Sequence, residues 1–139
     1  MTKSIAFAML FRQAVTLLII MSLGIFSANA AVHNGSITCG ANVATLKLTA
    51  TSIAATAKTT SNKSAENLQT FVVTTKVDKN GKQITPDMDS SYCEPGTDSG
   101  NAGVGIKVGS GDRYKKVTST HGAKFKGYAE QAKNLSESF

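Results

Sequence analysis

Strict alternation of apolar and polar residues is clearest over residues 43–51. Ala44, Leu46, Leu48 and Ala50 occupy every second position, and the positions between them carry Thr or Lys. Because alternate side chains of a strand point to opposite faces, this period of two is typical of a half-buried β-strand. Threonine is well accommodated on the solvent face of such a strand. The segment therefore predicts a β-strand.

A β-hairpin is predicted within residues 69–85. Its centre is Asn80-Gly81, a dipeptide that favours a type I′ turn because both central positions of that turn need positive φ. Such a turn places Val77 opposite Ile84. The apolar residues expected to share one face are Phe71, Val73 and Val77.

The remaining central segments alternate between strands and loops. Residues 103–108 alternate again and predict a strand, and residues 113–120 predict another after a Gly-rich turn. Residues 58–66 have no apolar periodicity, and residues 86–103 contain both prolines and two glycines before Gly103. Both of these segments therefore predict exposed loops.

The C-terminal residues change their period. Apolar residues recur there every three or four positions, as on one face of a helix: Phe125, Tyr128, Ala129, Ala132, Leu135 and Phe139. The pattern predicts a short C-terminal helix, and the alternative is a frayed terminus. The expected fold class is mainly β, a small antiparallel β-sandwich or open barrel with that helix packed on it.

The first 30 residues have the pattern of a cleavable signal peptide. Lys3 and Arg12 precede an uncharged apolar run over 14–26, and Ala28 and Ala30 are small residues at the positions that a signal peptidase requires. The run is shorter than the about 20 residues of a membrane span. We therefore expect residues 1–30 to be removed, with a retained anchor as the alternative. The expected location is extracellular, or periplasmic if the source is Gram-negative.

Cleavage leaves residues 31–139 as one small secreted domain. Its net charge is +4, because Lys3 and Arg12 leave the +6 chain and no acid leaves with them. Cys39 and Cys93 are the only cysteines. Two cysteines in an exported chain predict one disulfide bond, and the alternative is two free or intermolecular thiols.

The basic residues are concentrated in the C-terminal third. Residues 104–139 contain seven Lys or Arg residues and three acids. Phosphate groups and other anionic polymers bind such surfaces, and an interleaved aromatic ring can stack on a base. The residues expected to bind a macromolecular, anionic partner are Arg113, Tyr114, Lys115 and Lys116. The alternative is an ordinary solvated surface.

Cleavage after Ala30 would also create a metal-binding N-terminus. The free amine of Ala31, two deprotonated amides and the imidazole of His33 form a square-planar nitrogen set. Such a set suits Cu(II) or Ni(II), so Ala31, Val32 and His33 are a candidate metal site. The alternative is a solvated terminal histidine.

The sequence contains few candidate catalytic residues, and it predicts no cofactor. His33 and His121 are the only histidines, and no phosphate-loop or dinucleotide motif is complete. For a small hydrolase such as a nuclease, the first candidates are His121 with Arg113 or Glu130.

The function predicted first is therefore a secreted, non-catalytic binding protein, in the manner of an effector, virulence factor or inhibitor. Its loops and basic face would contact a host or competitor macromolecule, which could be a protein, a nucleic acid or a cell-surface polymer. A periplasmic copper- or nickel-binding protein and a secreted hydrolase are the alternatives. The sequence gives no oligomeric state.

Overall fold

The computed structural model describes residues 30–62, 65–93 and 100–139. Within this part, Ala31–Phe139 form one compact unit. The predicted signal peptide lies outside the described residues except for Ala30. No helix of the described part is long and apolar enough to cross a bilayer.

The described part of the unit is built from β-strands in two antiparallel sheets. The strands are β1 (Ala31–Cys39), β2 (Asn42–Ala50), β3 (Ala54–Ser61), β4 (Asn67–Val77), β5 (Gln83–Ile84), β6 (Met88–Cys93), β7 (Asn101–Lys107), β8 (Arg113–Lys124) and β9 (Gln131–Ser138). The first sheet has the order β1-β2-β3-β7, and the second has the order β5-β4-β8-β9, with β6 also paired to β4. The predicted mainly β class is confirmed.

The alternation over residues 43–51 is confirmed by β2. Ala44, Leu46, Leu48 and Ala50 are each at most 1% exposed and face the second sheet. The buried apolar side chains form two clusters, and both clusters take residues from both sheets. Because each sheet has one apolar face, the two sheets pack with these faces together.

The predicted C-terminal helix is wrong. Residues 125–130 form a turn in which Gly127 has a φ of 81°, and β9 then pairs antiparallel with β8. Leu135 and Glu137 are the half-buried positions of this strand, and their neighbours are exposed. The spacing of three and four residues arises because Phe125 and Tyr128 belong to the turn after β8, whereas Ala132 and Leu135 belong to β9.

The predicted hairpin exists, but its turn and register are different. Val77 lies opposite Gln83 rather than Ile84. Among the turn residues only Gly81 has positive φ, at 82°, so the turn is not of type I′. The carboxylate of Asp78 accepts hydrogen bonds from the backbone N–H groups of Asn80 and Lys82. These bonds stabilise a longer turn, and the longer turn shifts the register by one residue.

The face assignment of the first hairpin strand is also wrong. Leu68, Thr70 and Val72 point inward, whereas Phe71 is 39% exposed on the outer face and Val73 is half-buried. The prediction failed because threonine was expected on the solvent side. In β4, threonines are buried and hydrogen-bonded.

Both predicted loops contain strands. Residues 54–61 form β3, and residues 88–93 form β6, which pairs with β4. The inward positions of β3 are small or polar: Ala55, Ala57, Thr59 and Ser61. Such a strand has little apolar contrast between its faces, and this is why its periodicity is not visible in the sequence.

A β-bulge explains the arrangement at the start of β8. Strict alternation would place Tyr114 and Val117 on opposite faces, yet both are buried. Lys76 lies opposite Tyr114 and Thr75 lies opposite Lys116, so Lys115 is an extra residue in β8. A bulge of this kind resets which side chains face the core.

The predicted disulfide between Cys39 and Cys93 is not found. Cys39 ends β1 in the first sheet and is a buried thiol in the core. Cys93 ends β6 in the second sheet. Its sulfur would lie 3.8 Å from a Cβ atom placed on Gly100. Cys39 belongs to an apolar cluster of the core, and Cys93 packs against the same cluster from the other sheet.

Candidate functional site

One end of the sandwich gathers several turns that are distant in sequence. The backbone N–H of Tyr114 donates to the carbonyl of Ser52 at 2.6 Å, and that of Val108 donates to the carbonyl of Ile53 at 3.0 Å. These bonds join the β7–β8 and β2–β3 turns. Gly111 of the β7–β8 turn also lies close to the Lys79 side chain of the β4–β5 turn. We call this region the basic end.

Six exposed cations lie at the basic end. They are Lys79, Lys82, Lys107, Arg113, Lys115 and Lys116. None of them forms an ion pair with a described residue, since the ion pairs of the described part involve His33, Lys76 and Lys124. Their charges are therefore directed to solvent rather than neutralised within the described fold.

The acids at this end offset only part of that charge. The carboxylate of Asp78 is occupied by the turn N–H groups of Asn80 and Lys82, at 2.8 and 2.9 Å. Asp112 lies in the β7–β8 turn, close to Gly109. Because the cations outnumber these two acids, the basic end has a positive field that attracts anions over about a Debye length.

Apolar side chains lie among the cations. Ile53 is 45% exposed at the tip of the β2–β3 turn, and Phe139 is 42% exposed. The backbone N–H of Phe139 donates to the carbonyl of Lys115, which places Phe139 beside the cations. A positive surface with isolated apolar side chains is suited to contact with a macromolecule.

Of the four predicted binding residues, Tyr114 is not on the surface. It is 1% exposed, and its hydroxyl donates to Oδ2 of Asp87 at 2.9 Å. The ammonium of Lys76 contacts Oδ1 of the same carboxylate at 2.5 Å. Burial and this carboxylate raise the pKa of Tyr114 well above its ordinary value of 10.0. The tyrosine is a core residue, and Arg113, Lys115 and Lys116 are left as surface residues.

The predicted metal-binding residues lie in the ladder of β1. Ala31, Val32 and His33 pair with Ala50, Thr49 and Leu48. Nε2 of His33 lies 2.5 Å from Oε2 of Glu137 on β9. Square-planar coordination would require these three residues to leave the extended strand and His33 to leave that carboxylate, so the metal site stays a prediction. The described part has no group of three His, Cys, Asp or Glu residues placed to hold a metal.

His121 lies inside the molecule, between the two apolar clusters. It is fully buried, and its Nδ1 lies 2.9 Å from the Thr59 hydroxyl while its Nε2 lies 2.8 Å from the Ser119 hydroxyl. Thr59 in turn contacts Thr70 at 2.7 Å. Both ring nitrogens are therefore satisfied by neutral hydroxyls, and burial lowers the pKa of His121 to about 4.

This placement removes His121 from the hydrolase hypothesis. A general base must reach its substrate, and a fully buried imidazole does not. Arg113 lies at the basic end, opposite Val77, whereas Glu130 binds Gln69 on the outer face of the second sheet. The three residues expected to form a hydrolytic site are thus not brought together.

Comparison with known proteins adds no family to this description. No model of a protein family matches the chain, and no curated protein matches its sequence.

Two of the six cations at the basic end were not predicted from the sequence: Lys79 and Lys82 of the hairpin turn. Lys107, at the end of β7, lies in the basic segment 104–139 that the sequence identified. The predicted hairpin was the sequence signal that could have found Lys79 and Lys82, because the turn of an antiparallel hairpin lies at one end of the sheet. Which turns share that end depends on which strands pair, as β4 pairs with β8, and no local pattern in the sequence gives that pairing.

Proposed function

We propose that the protein is a non-catalytic binding protein that engages an anionic macromolecule through the basic end. The observation that supports this most is the group of six exposed cations with no ion pair among the described residues. Ordinary surfaces mix charges of both signs. A group of one sign at one end of a small domain is typical of a surface that attracts a charged partner.

The mechanism is contact assisted by charge. The positive field raises the rate of encounter, and the cations then contact phosphate, sulfate or carboxylate groups of the partner. Ile53 and Phe139 add apolar contact once the partner is near. We propose further that this contact occurs outside the cell, as for a secreted effector or inhibitor, because the N-terminal residues have the pattern of an export signal.

The test compares two variants with the same change of charge. One replaces Arg113, Lys115 and Lys116 by Gln, and the matched control replaces Lys124, Lys126 and Lys133, which lie away from the basic end. Binding is measured at physiological salt with two probes, phosphatidylserine vesicles and duplex DNA. At about 1 kcal/mol per cation at an anionic surface, the basic-end variant should bind vesicles about 100-fold more weakly.

The control variant should bind both probes within about threefold of the unsubstituted protein. Equal losses in the two variants would show that net charge alone sets the affinity, and the proposal for the basic end would then be wrong. No binding of the unsubstituted protein to either probe would also contradict it.

A further inference from the structure

The outer face of the first sheet contains two lysines directly side by side. Lys47 of β2 lies opposite Lys58 of β3 in the antiparallel register, and both are exposed. Side chains in such a pair start about 5 Å apart, and like charges at that spacing destabilise a sheet. Neither lysine forms an ion pair with a described residue.

Among the described residues, no carboxylate on this face compensates the pair. The outward positions of β1, β2, β3 and β7 hold Thr, Ser, Asn, Gly, Ala, Val and Lys, and no Asp or Glu. Asn34 and Gly103 continue the row of Lys47 and Lys58 across the sheet. The face is therefore positive and rich in hydroxyl groups.

A trough runs beside the lysine pair because β7 has two glycines on this face. A Cβ atom on Gly103 would meet no heavy atom closer than 3.6 Å, and one on Gly105 none closer than 3.8 Å. The fold thus has room for side chains at both positions, although glycine weakens a strand interior. The trough has a volume of about 490 Å³, and its lining includes Lys47, Lys58, Thr49 and Thr56.

The lysine pair and the two glycines of β7 each destabilise the sheet, and they lie next to each other. Packing of the core requires neither of them. A ligand accounts for both, because an anion between the lysines relieves their repulsion and an unobstructed floor lets a chain approach the strand. We propose that this trough binds a linear anionic polysaccharide. Its acidic groups contact Lys47 and Lys58, and its hydroxyls exchange hydrogen bonds with Thr49 and Thr56.

The lining favours a polysaccharide over a single-stranded nucleic acid. The described outward positions of this sheet carry no aromatic ring, so bases would have no surface on which to stack. Hydroxyl groups on both partners suit a sugar chain. None of the residues that line the trough belongs to the basic end, although Lys107 of that end lies two positions from Gly105 on the same face. The proposal does not depend on the function proposed for the basic end.

The experiment measures binding of a heparin decasaccharide by calorimetry, with neutral dextran and single-stranded DNA as comparison probes. The variant K47Q/K58Q should bind heparin at least about tenfold more weakly, since two charge-assisted contacts are lost. The matched control K126Q/K133Q should bind within about threefold of the unsubstituted protein. The K47Q/K58Q variant should also unfold at a higher urea concentration, because the repulsion is gone.

A second variant tests the shape of the site without changing its charge. Gly105→Thr fills the trough next to Thr56 and should weaken heparin binding severalfold while preserving or raising stability. Heparin binding that is unchanged in both K47Q/K58Q and Gly105→Thr would overturn the proposal. So would single-stranded DNA binding that equals heparin binding and depends on the same two lysines. The heparin measurements are made in the basic-end variant, which retains the trough and lacks three of the other cations proposed to contact anions, so that failure of one proposal is distinguishable from failure of the other.

Discussion

At the scale of single residues, buried polar side chains are the least expected feature of this molecule. Thr59, Thr70, Ser119 and His121 are each at most 1% exposed. They form hydrogen bonds with one another and with three backbone carbonyls, those of Gln69, Ala102 and Leu135, so their burial leaves no unpaired group among these atoms. Local patterns do not predict such a cluster, because each member is ordinarily a surface residue.

His121 makes the stability of the protein depend on pH. Its pKa falls from 6.5 to about 4 on folding. As pH falls through this window, the unfolded chain takes up a proton that the folded protein does not, so the free energy of unfolding decreases. The decrease should reach about 3 kcal/mol near pH 4 and be absent above pH 6.5.

Urea unfolding of the protein and of His121→Gln across this range measures the effect. The difference in stability between the two should shrink as pH falls, because the variant lacks the titrating group. His33→Gln is the control, since His33 is at the surface beside Glu137. A constant difference between wild type and His121→Gln would contradict the assignment.

The carboxylate of Asp87 anchors a buried tyrosine and a lysine. It accepts the hydroxyl of Tyr114 and contacts Lys76. Asp87→Asn should destabilise the fold by about 2 kcal/mol, since hydrogen bonds to a charged group are lost and Lys76 keeps an uncompensated charge. It should also lower the pKa of Tyr114, which absorbance at alkaline pH reports.

Asp89→Asn is the matched control, because the Asp89 residue is exposed and, among the described residues, its carboxylate accepts only the adjacent Ser90 N–H. Its effect on unfolding should stay within about 0.5 kcal/mol. Equal destabilisation by the two substitutions would show that Asp87 has no special role in the core.

At the scale of elements, the strands with strong apolar contrast could be predicted and the others could not. β2 was predicted because four apolar residues alternate with Thr and Lys. β3 and β6 were missed because their inward residues are small, polar or few. β9 was assigned to a helix because residues of a turn and a strand together imitate helical spacing. Secondary structure here is decided by pairing with neighbouring strands.

The β4–β5 turn offers a clean test at this scale. A Cβ on Gly81 would meet nothing within 4 Å, so the only penalty of a side chain is the φ of 82°. Gly81→Ala should destabilise the fold by about 1 kcal/mol. Gly81→Asn should cost clearly less, because asparagine tolerates left-handed backbone. Denaturant midpoints that rank Asn below Ala would contradict the observed turn.

At the scale of the whole molecule, the sequence could predict that the domain is basic but not where the charge collects. Arg113, Lys115 and Lys116 lie close together in the sequence, so they could be predicted as one group. Lys79 and Lys82 join them because β4 pairs with β8, with Val77 opposite Arg113, and Lys107 joins them because it precedes the β7–β8 turn that Arg113 follows. Packing of the two sheets buries Tyr114. The proposed binding surface therefore depends on strand pairing and on sheet packing.

The most direct test of the binding account is the salt dependence of affinity for duplex DNA, used as a polyanion of uniform charge spacing. The slope of log K against log salt is measured between roughly 50 and 200 mM for the protein, the basic-end variant and its matched control. Losing three phosphate contacts should reduce the slope of the basic-end variant by about 2.7 and leave that of the control unchanged. Equal slopes in the two variants would contradict the claim that the basic end makes the contacts.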